Sequence, residues 1–252
     1  MTFHSACLRI LKQESSHLEG YDRNFTIYDS GDQEQVIKEI LRPMNLDDKQ
    51  HSPKTYLNWI SKQKSNLKLP PARYIPMGND WEELAPLVYQ RYQAAMQQSN
   101  AMDFDDLLLQ TVLLFKRKPD VLAKYQERFQ YIMVDEYQDT NHIQYVFVSM
   151  LAQKYKNICV VGDDDQSIYG FRQADIRNIL DFERDFPGAK VIRLEQNYRS
   201  TGRILEAANE VVANNRERKP KTLWTKNPQG EKILCFHAES DREEAEFVAG
   251  RI

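Results

Sequence analysis

The chain has 252 residues, is 41% hydrophobic and 28% charged, and carries a net charge of −3. That composition excludes disorder as the main state and a polycationic binder; with no apolar run near the roughly 18 residues a spanning helix needs, it also excludes a membrane segment. Three scattered cysteines (Cys7, Cys159, Cys235) and an N-terminus without a basic stretch ahead of an apolar core argue against a disulfide framework and a secretory signal, and point to the reducing cytoplasm.

Residues 18–100 read as helical. Val36, Ile37, Ile40 and Leu41 share one face, stopped by Pro43. Ser52-Pro53 predicts a helix start with Leu57 and Ile60 inside. After a proline-rich elbow (Pro70, Pro71, Pro76), Asp80 with Glu83 resembles a capping box ahead of Leu84, Leu87, Val88 and Met96. Residues 49–79 hold six Lys/Arg and no Asp/Glu. That run is either a patch for a nucleic-acid backbone or a solvated helical face.

Beyond residue 130 strands and helices alternate. Tyr131-Ile132-Met133-Val134, Ile158-Cys159-Val160-Val161 and Val191-Ile192-Arg193-Leu194 are short apolar runs, each ending abruptly in polar residues. Continuous runs of this kind suit strands of a parallel sheet buried on both faces. Thr140 is a candidate cap for a helix with Ile143, Phe147, Met150 and Leu151 inside. Asp175 can cap another with Ile176, Ile179 and Leu180, stopped before Pro187. Ser200 or Thr201 can start a third with Ile204, Leu205, Ala208 and Val212, and Arg242 to Ile252 reads as a last one with Glu243, Ala245, Phe247 and Val248 inside. Strand–helix repeats imply a parallel α/β sheet.

Four constellations can carry chemistry. Asp135 and Glu136 follow the first strand, where open α/β sheets bind ligands. A carboxylate there can hold Mg²⁺ against nucleotide phosphates, and a neighbour can orient or deprotonate a water; the alternative is a solvated turn. Gly162-Asp163-Asp164-Asp165-Gln166-Ser167 follows the second strand. Gln166, both donor and acceptor, can sense a γ-phosphate or a water, while three acids in a row also fit a metal-dependent nuclease or an acidic surface turn. In Gln196-Asn197-Tyr198-Arg199-Ser200, an arginine at a helix start opposes the macrodipole and suggests an external anion, with Tyr198 beside it to stack on a base. Last, Tyr169, Phe171 and Arg172, with Phe104 in Met102-Asp103-Phe104-Asp105-Asp106-Leu107, offer rings for stacking single-stranded bases; ordinary packing is the alternative for any one ring. None of the nine glycines precedes a lysine, so the chain holds no G-x-x-x-x-G-K-[ST] phosphate loop.

In order and spacing, Asp135-Glu136-Tyr137-Gln138-Asp139-Thr140-Asn141, Val161-Gly162-Asp163-Asp164-Asp165-Gln166-Ser167-Ile168-Tyr169 and Asn197-Tyr198-Arg199-Ser200 resemble motifs II, III and IV of the UvrD/PcrA/Rep family of superfamily 1 DNA helicases. Thr2-Phe3-His4-Ser5 resembles motif Ib, and Met102 to Leu108 a further DNA-contacting segment. Leu223-Trp224-Thr225 and Glu243-Glu244-Ala245 are also similar to the family, so the likeness spans essentially the whole chain.

The resemblance implies a RecA-like P-loop NTPase fold of the α/β class, with a parallel sheet and an inserted helical subdomain. Residues 1–17 and 101–193 would form the first RecA-like domain, 18–100 the insertion, and 194–252 the start of a second RecA-like domain. It implies ATP and Mg²⁺ as cofactors: Asp135 as the metal–nucleotide carboxylate, Glu136 as general base, Gln166 coupling γ-phosphate state to DNA grip, Arg199 as arginine finger and Tyr198 stacking on adenine. Phe104, Tyr169 and Phe171 would stack bases, with His4 and Ser5 near the DNA backbone. Many members have Trp at Phe171, and Arg and Gly where this chain has Gly170 and Gln173; stacking survives that change, and Arg172's own role stays open. The implied partners are single-stranded DNA and single-strand/duplex junctions, together with repair or replication proteins of unstated identity. The family's phosphate loop would precede Thr2 and its motifs V and VI would follow Ile252, so the chain reads as an interior fragment whose sheet can have an open edge. An inert DNA- or protein-binding module is the competing reading.

Overall fold

The computed structural model describes residues 1–44, 46, 51–215 and 218–252. Lys49, one cation of the basic run, lies outside the described residues. The chain divides into two compact units, Met1–Pro187 and Gly188–Ile252.

In the first unit, helix α1 (Phe3–Gln13) starts at Thr2, whose side chain accepts from the Ser5 N–H. A two-residue strand β1 (Thr26–Ile27) leads into α2 (Ser30–Leu41), closed at its start by a reciprocal Asp29–Asp32 capping box. Then come α3 (Pro53–Ser65) and α4 (Trp81–Gln98). Their apolar stripes meet in a core of Ile37, Leu41, Tyr56, Ile60, Leu84, Val88, Tyr89, Tyr92 and Met96. Asp80 precedes α4 without a side-chain capping bond, so the expected Asp80–Glu83 box does not form. Glu83 instead accepts from the Tyr74 hydroxyl at 3.2 Å.

Strand β2 (Ala101–Met102) pairs parallel with β1 and feeds α5 (Phe104–Arg117). Helix α5 is buried almost all round (Leu107, Leu108, Leu109, Val112, Leu114, Phe115), as a central helix must be. It packs against α1, α3, α6 (Pro119–Arg128) and α7 (His142–Ala152). Asn141, not Thr140, caps α7, in a box with Gln144. The Thr140 hydroxyl is turned the other way, donating to the Tyr137 carbonyl at 2.7 Å. Inside α7, Val148 is buried with Ile143, Phe147 and Leu151, and Met150 is only half-buried.

Strands β3 (Ile132–Val134) and β4 (Ile158–Val160) pair in parallel, Ile132 opposite Ile158 and Val134 opposite Val160. Burial on both faces does not follow: Met133 is 79% exposed and Cys159 is exposed. With side chains alternating across the sheet, one face meets the core and the other is uncovered by any described residue. Past β4 the expected helix after Asp175 is two short ones, α8 (Arg177–Leu180) and α9 (Phe182–Asp185), which end before Pro187.

In the second unit the expected strand at 191–194 is absent. Val191, Ile192 and Leu194 are exposed, and no described segment pairs with them. The chain makes a single parallel bridge one step later, Gln196 with Trp224. An apolar run becomes a strand only where a ladder partner satisfies its backbone. Helix α10 (Gly202–Val212) starts at Thr201 and buries Leu205 while Ile204 faces solvent. Helix α11 (Asp241–Ala249), capped by Ser240, has no fully buried residue; Phe247 stacks on Phe236 with ring centroids 3.9 Å apart.

Candidate functional site: strand-end acids and exposed aromatic pairs

At the carboxyl end of β3 the chain turns sharply. Glu136 adopts a left-handed backbone (φ 51°), unusual for a residue with a side chain. The turn is held to the neighbouring strand: the Val161 N–H donates to the Val134 carbonyl at 2.8 Å and the Tyr137 N–H to the Val161 carbonyl at 2.9 Å. Asp135 and Glu136 are thereby delivered exposed at the sheet edge. Burial, then the charge of Glu136, raises the Asp139 carboxyl above its ordinary value.

The element that ties this edge together is Gln138, which sequence reasoning passed over. Its buried amide donates to Glu136 Oε2 at 2.8 Å and accepts from the Asp163 N–H at 3.0 Å. One side chain thus joins the acids after β3 to the loop after β4. The Ser167 hydroxyl adds a bond to the Gln138 carbonyl at 3.3 Å. Gly162 makes room: a Cβ there would stand 2.6 Å from Gln138 Oε1 and 2.7 Å from Ile179 Cδ1. Gln166 turns back to Asp163 Oδ2 at 2.8 Å. The structure therefore gathers Asp135, Glu136 and Gln166 at one sheet edge. The signal for Gln138 was its place inside a motif-like string; its two-sided role needed the pairing of β3 with β4.

Oxygen donors of this kind suit a hard cation. Asp135 and Glu136 offer exposed carboxylates, so they fit a metal-bound nucleotide. Asp163, Asp164 and Asp165 also place carboxylate oxygens within 4.8 Å of one another. Asp163 is already committed there, accepting from the Asp165 N–H at 3.0 Å as well as from Gln166.

The aromatic candidates form two pairs. His4 meets Phe104 edge-on at 5.8 Å, and Phe104 is 52% exposed. Partial burial lowers the pKa of His4, so its ring faces Phe104 neutral near pH 7. Tyr169 and Phe171 lie 5.8 Å apart, with the Arg172 guanidinium 4.9 Å from the first ring and 5.4 Å from the second. Phe171 is 77% exposed. Gln173 follows in the left-handed region (φ 67°), a position where glycine is the easier residue. Ser5 is engaged locally, its hydroxyl donating to the Thr2 carbonyl at 2.9 Å.

In the second unit Tyr198 and Arg199 are exposed in a turn before the Thr201 cap, not in the first turn of a helix, which corrects the macrodipole argument for Arg199. Asn197 Oδ1 accepts from the N–H groups of Arg199 (2.9 Å) and Ser200 (2.8 Å), and Asn227 donates to the carbonyls of Tyr198 (3.3 Å) and Ser200 (3.1 Å). These two asparagines shape the turn, and Asn227 carried no local signal.

Residues 1–187 match the family model of the UvrD/REP helicase N-terminal domain, and residues 192–252 that of the UvrD-like helicase C-terminal domain. The chain belongs to the UvrD/Rep helicase family. It is 53% identical over 251 residues to the ATP-dependent DNA helicase PcrA of Staphylococcus aureus (strain Mu50), covering 100% of this chain and 34% of that protein. Identity to the PcrA helicase of Staphylococcus epidermidis (strain ATCC 35984) is 51% over the same span. The chain thus spans about a third of the length of these curated relatives.

For a UvrD/Rep family chain, the basic run 49–79 is less uniform than its sequence. Lys54, Lys62, Lys68 and Arg73 are exposed, but Lys64 is fully buried and paired with Asp103 and Asp106. It is not available to a DNA backbone. Among the described residues no helix is long and apolar enough to cross a membrane.

Proposed function

We propose that the chain works within an ATP-dependent DNA helicase that couples ATP hydrolysis to movement along single-stranded DNA and to duplex unwinding, 3′→5′ as the family resemblance implies. The observation that carries this reading is the Gln138 bridge, which ties a candidate base, Glu136, to the loop bearing Gln166 and the Tyr169–Phe171 pair.

Asp135 is the residue to hold Mg²⁺, which when bound neutralises charge on nucleotide phosphates. Glu136 accepts the proton of an attacking water. Gln166 reports nucleotide state through Asp163 and Gln138 to the aromatic loop. Arg199 and Tyr198 keep the finger and adenine-stacking roles of the resemblance. His4, Phe104, Tyr169, Phe171 and Arg172 hold bases of single strands and junctions, with Ser5 near the backbone. The domain division (1–17 with 101–193, 18–100, 194–252), the RecA-like fold, a cytoplasmic location and work beside repair or replication proteins belong to the same proposal.

The test is ATP turnover by the whole protein, with and without single-stranded DNA. DNA-stimulated turnover that Glu136→Gln abolishes supports the reading; turnover that survives the change overturns the base assignment. The 252-residue chain alone has no Gly-Lys pair and is expected to turn over no ATP. The same absence favours a second reading, a binding module without catalysis. Oligonucleotide binding by a whole protein that never hydrolyses ATP would favour it.

A further inference from the structure

The most heavily buried charge cluster among the described residues lies away from the strand-end acids, at the start of α5. Asp103 and Asp106 divide their oxygens. Asp103 Oδ1 accepts from the Asp106 N–H at 2.8 Å, and Asp106 Oδ2 from the Asp103 N–H at 3.2 Å. Their other oxygens converge on Lys64 Nζ, at 2.7 Å from Asp103 Oδ2 and 2.8 Å from Asp106 Oδ1. The Tyr92 hydroxyl donates to Asp103 at 2.9 Å, Gln93 to Asp106 at 3.4 Å, and the Tyr92 ring lies 5.1 Å from the ammonium. All three charged side chains are within 4% of complete burial.

A buried ion cluster is weak evidence for stability alone, since apolar residues of similar size often do as well. What this one does is geometric. It joins α3 to the first turn of α5, and that turn carries Phe104 between Asp103 and Asp106. One helical turn earlier on α3, Ser61 bonds the Asp105 side chain and receives the Gln173 amide at 3.5 Å, beside the Tyr169–Phe171 pair. Residues three apart share a helix face. The face of α3 that carries Ser61 and Lys64 is therefore bonded to the residues on either side of Phe104 and to Gln173, two residues past Phe171.

We propose that Lys64 is a positioning residue for nucleic-acid binding: by clamping α3 to the first turn of α5 it fixes the direction in which Phe104, packed against His4, meets a base. The inference rests on the reading of Phe104 as a base-stacking residue. It assigns a buried member of the basic run a role no phosphate contact could have. Burial disfavours the ammonium, but Asp103 and then Asp106 outweigh it and raise the Lys64 pKa, which holds the ammonium in its charged form.

The test is fluorescence anisotropy of a labelled oligo(dT) titrated with the chain at several salt concentrations, below each variant's melting midpoint. Phe104→Ala is expected to weaken binding about tenfold, the loss of one stacked base. Lys64→Met is expected to lose roughly three- to tenfold of the same affinity. The Lys64→Met loss should vanish in a Phe104→Ala background and persist beside Arg172→Ala. Its salt dependence should equal that of the wild type, because no phosphate contact is removed. Lys64→Met/Asp106→Asn, which strands no extra buried carboxylate, gives the same reading if the single variant does not fold. Unchanged affinity in a folded Lys64 variant, a loss of equal size in the Phe104→Ala background, or a salt slope reduced by about one charge each overturns the positioning role. A Phe104→Ala variant that binds like wild type removes the base-stacking reading, and the inference with it.

Discussion

Two acidic clusters stand at starts of local helical turns and look alike in sequence. One, Asp103 and Asp106 at the head of α5, is sealed from water and paired with Lys64. The other, Asp135 and Glu136 after β3, lies exposed at a sheet edge. The first cluster has its cation built in, so its work is to hold elements together. The exposed carboxylates of the second can reach a ligand that comes to the sheet edge.

The largest effect that would sharpen this contrast is at the exposed cluster. Glu136→Gln in the whole protein should cut DNA-stimulated ATP turnover by about 10²–10⁴, the usual worth of a general base, with the fold intact by circular dichroism. The buried cluster should answer in stability instead. Lys64→Met leaves two carboxylates facing each other and should cost about 3–5 kcal/mol in urea unfolding; a loss below about 1 kcal/mol would mean that the cluster relaxes or takes up water.

A smaller effect tests the bridge between the strand ends. Gln138→Leu removes a donor to Glu136 and an acceptor for the Asp163 N–H. Turnover should fall roughly tenfold to a hundredfold with the KM for ATP little changed, as for other supporting hydrogen-bond partners of a reacting group. A rise in KM alone would place Gln138 in binding rather than in orienting the base.

The smallest is a pH slope. Burial first, then the charge of Asp103, pushes the Asp106 carboxyl up from 3.8 to about 7. A carboxyl raised in the folded state binds its proton more tightly there. Its contribution is therefore complete below pH 3.8 and lost as pH rises toward about 7. Asp105, raised to about 6 by burial and by Asp103, acts in the same sense. Unfolding free energy should fall over that window, and Asp106→Asn should flatten part of the fall; a slope identical in the variant would assign the titration elsewhere.

Much of the sheet edge was legible. The apolar runs at 132–134 and 158–160 become strands because each finds the other as partner, and the acids that follow them emerge at the edge as the pattern required. The run at 191–194 has the same local signature but pairs with no described segment, so no strand forms there. Exposure on the outer face of β3 and β4 was illegible for the same reason: hydropathy says that a run can be buried, not that something covers it.

The α/β character, the helical stretch at 18–100, the order and spacing of the motifs and, through these, the UvrD/Rep kinship could all be read from the residues alone. Local chemistry sets all of these, since periodicity, capping residues and short strings are properties of neighbours in the chain. Three features needed the folded chain: Lys64 is a buried ion-pair partner rather than a surface cation, Gln138 spans two strand ends, and His4 and Phe104 form one aromatic pair. Each depends on a partner far along the chain: Lys64 meets Asp103 across 39 residues and Gln138 meets Asp163 across 25. Whether a polar side chain is solvated or enclosed is settled by what packs around it, and a single sequence does not state that.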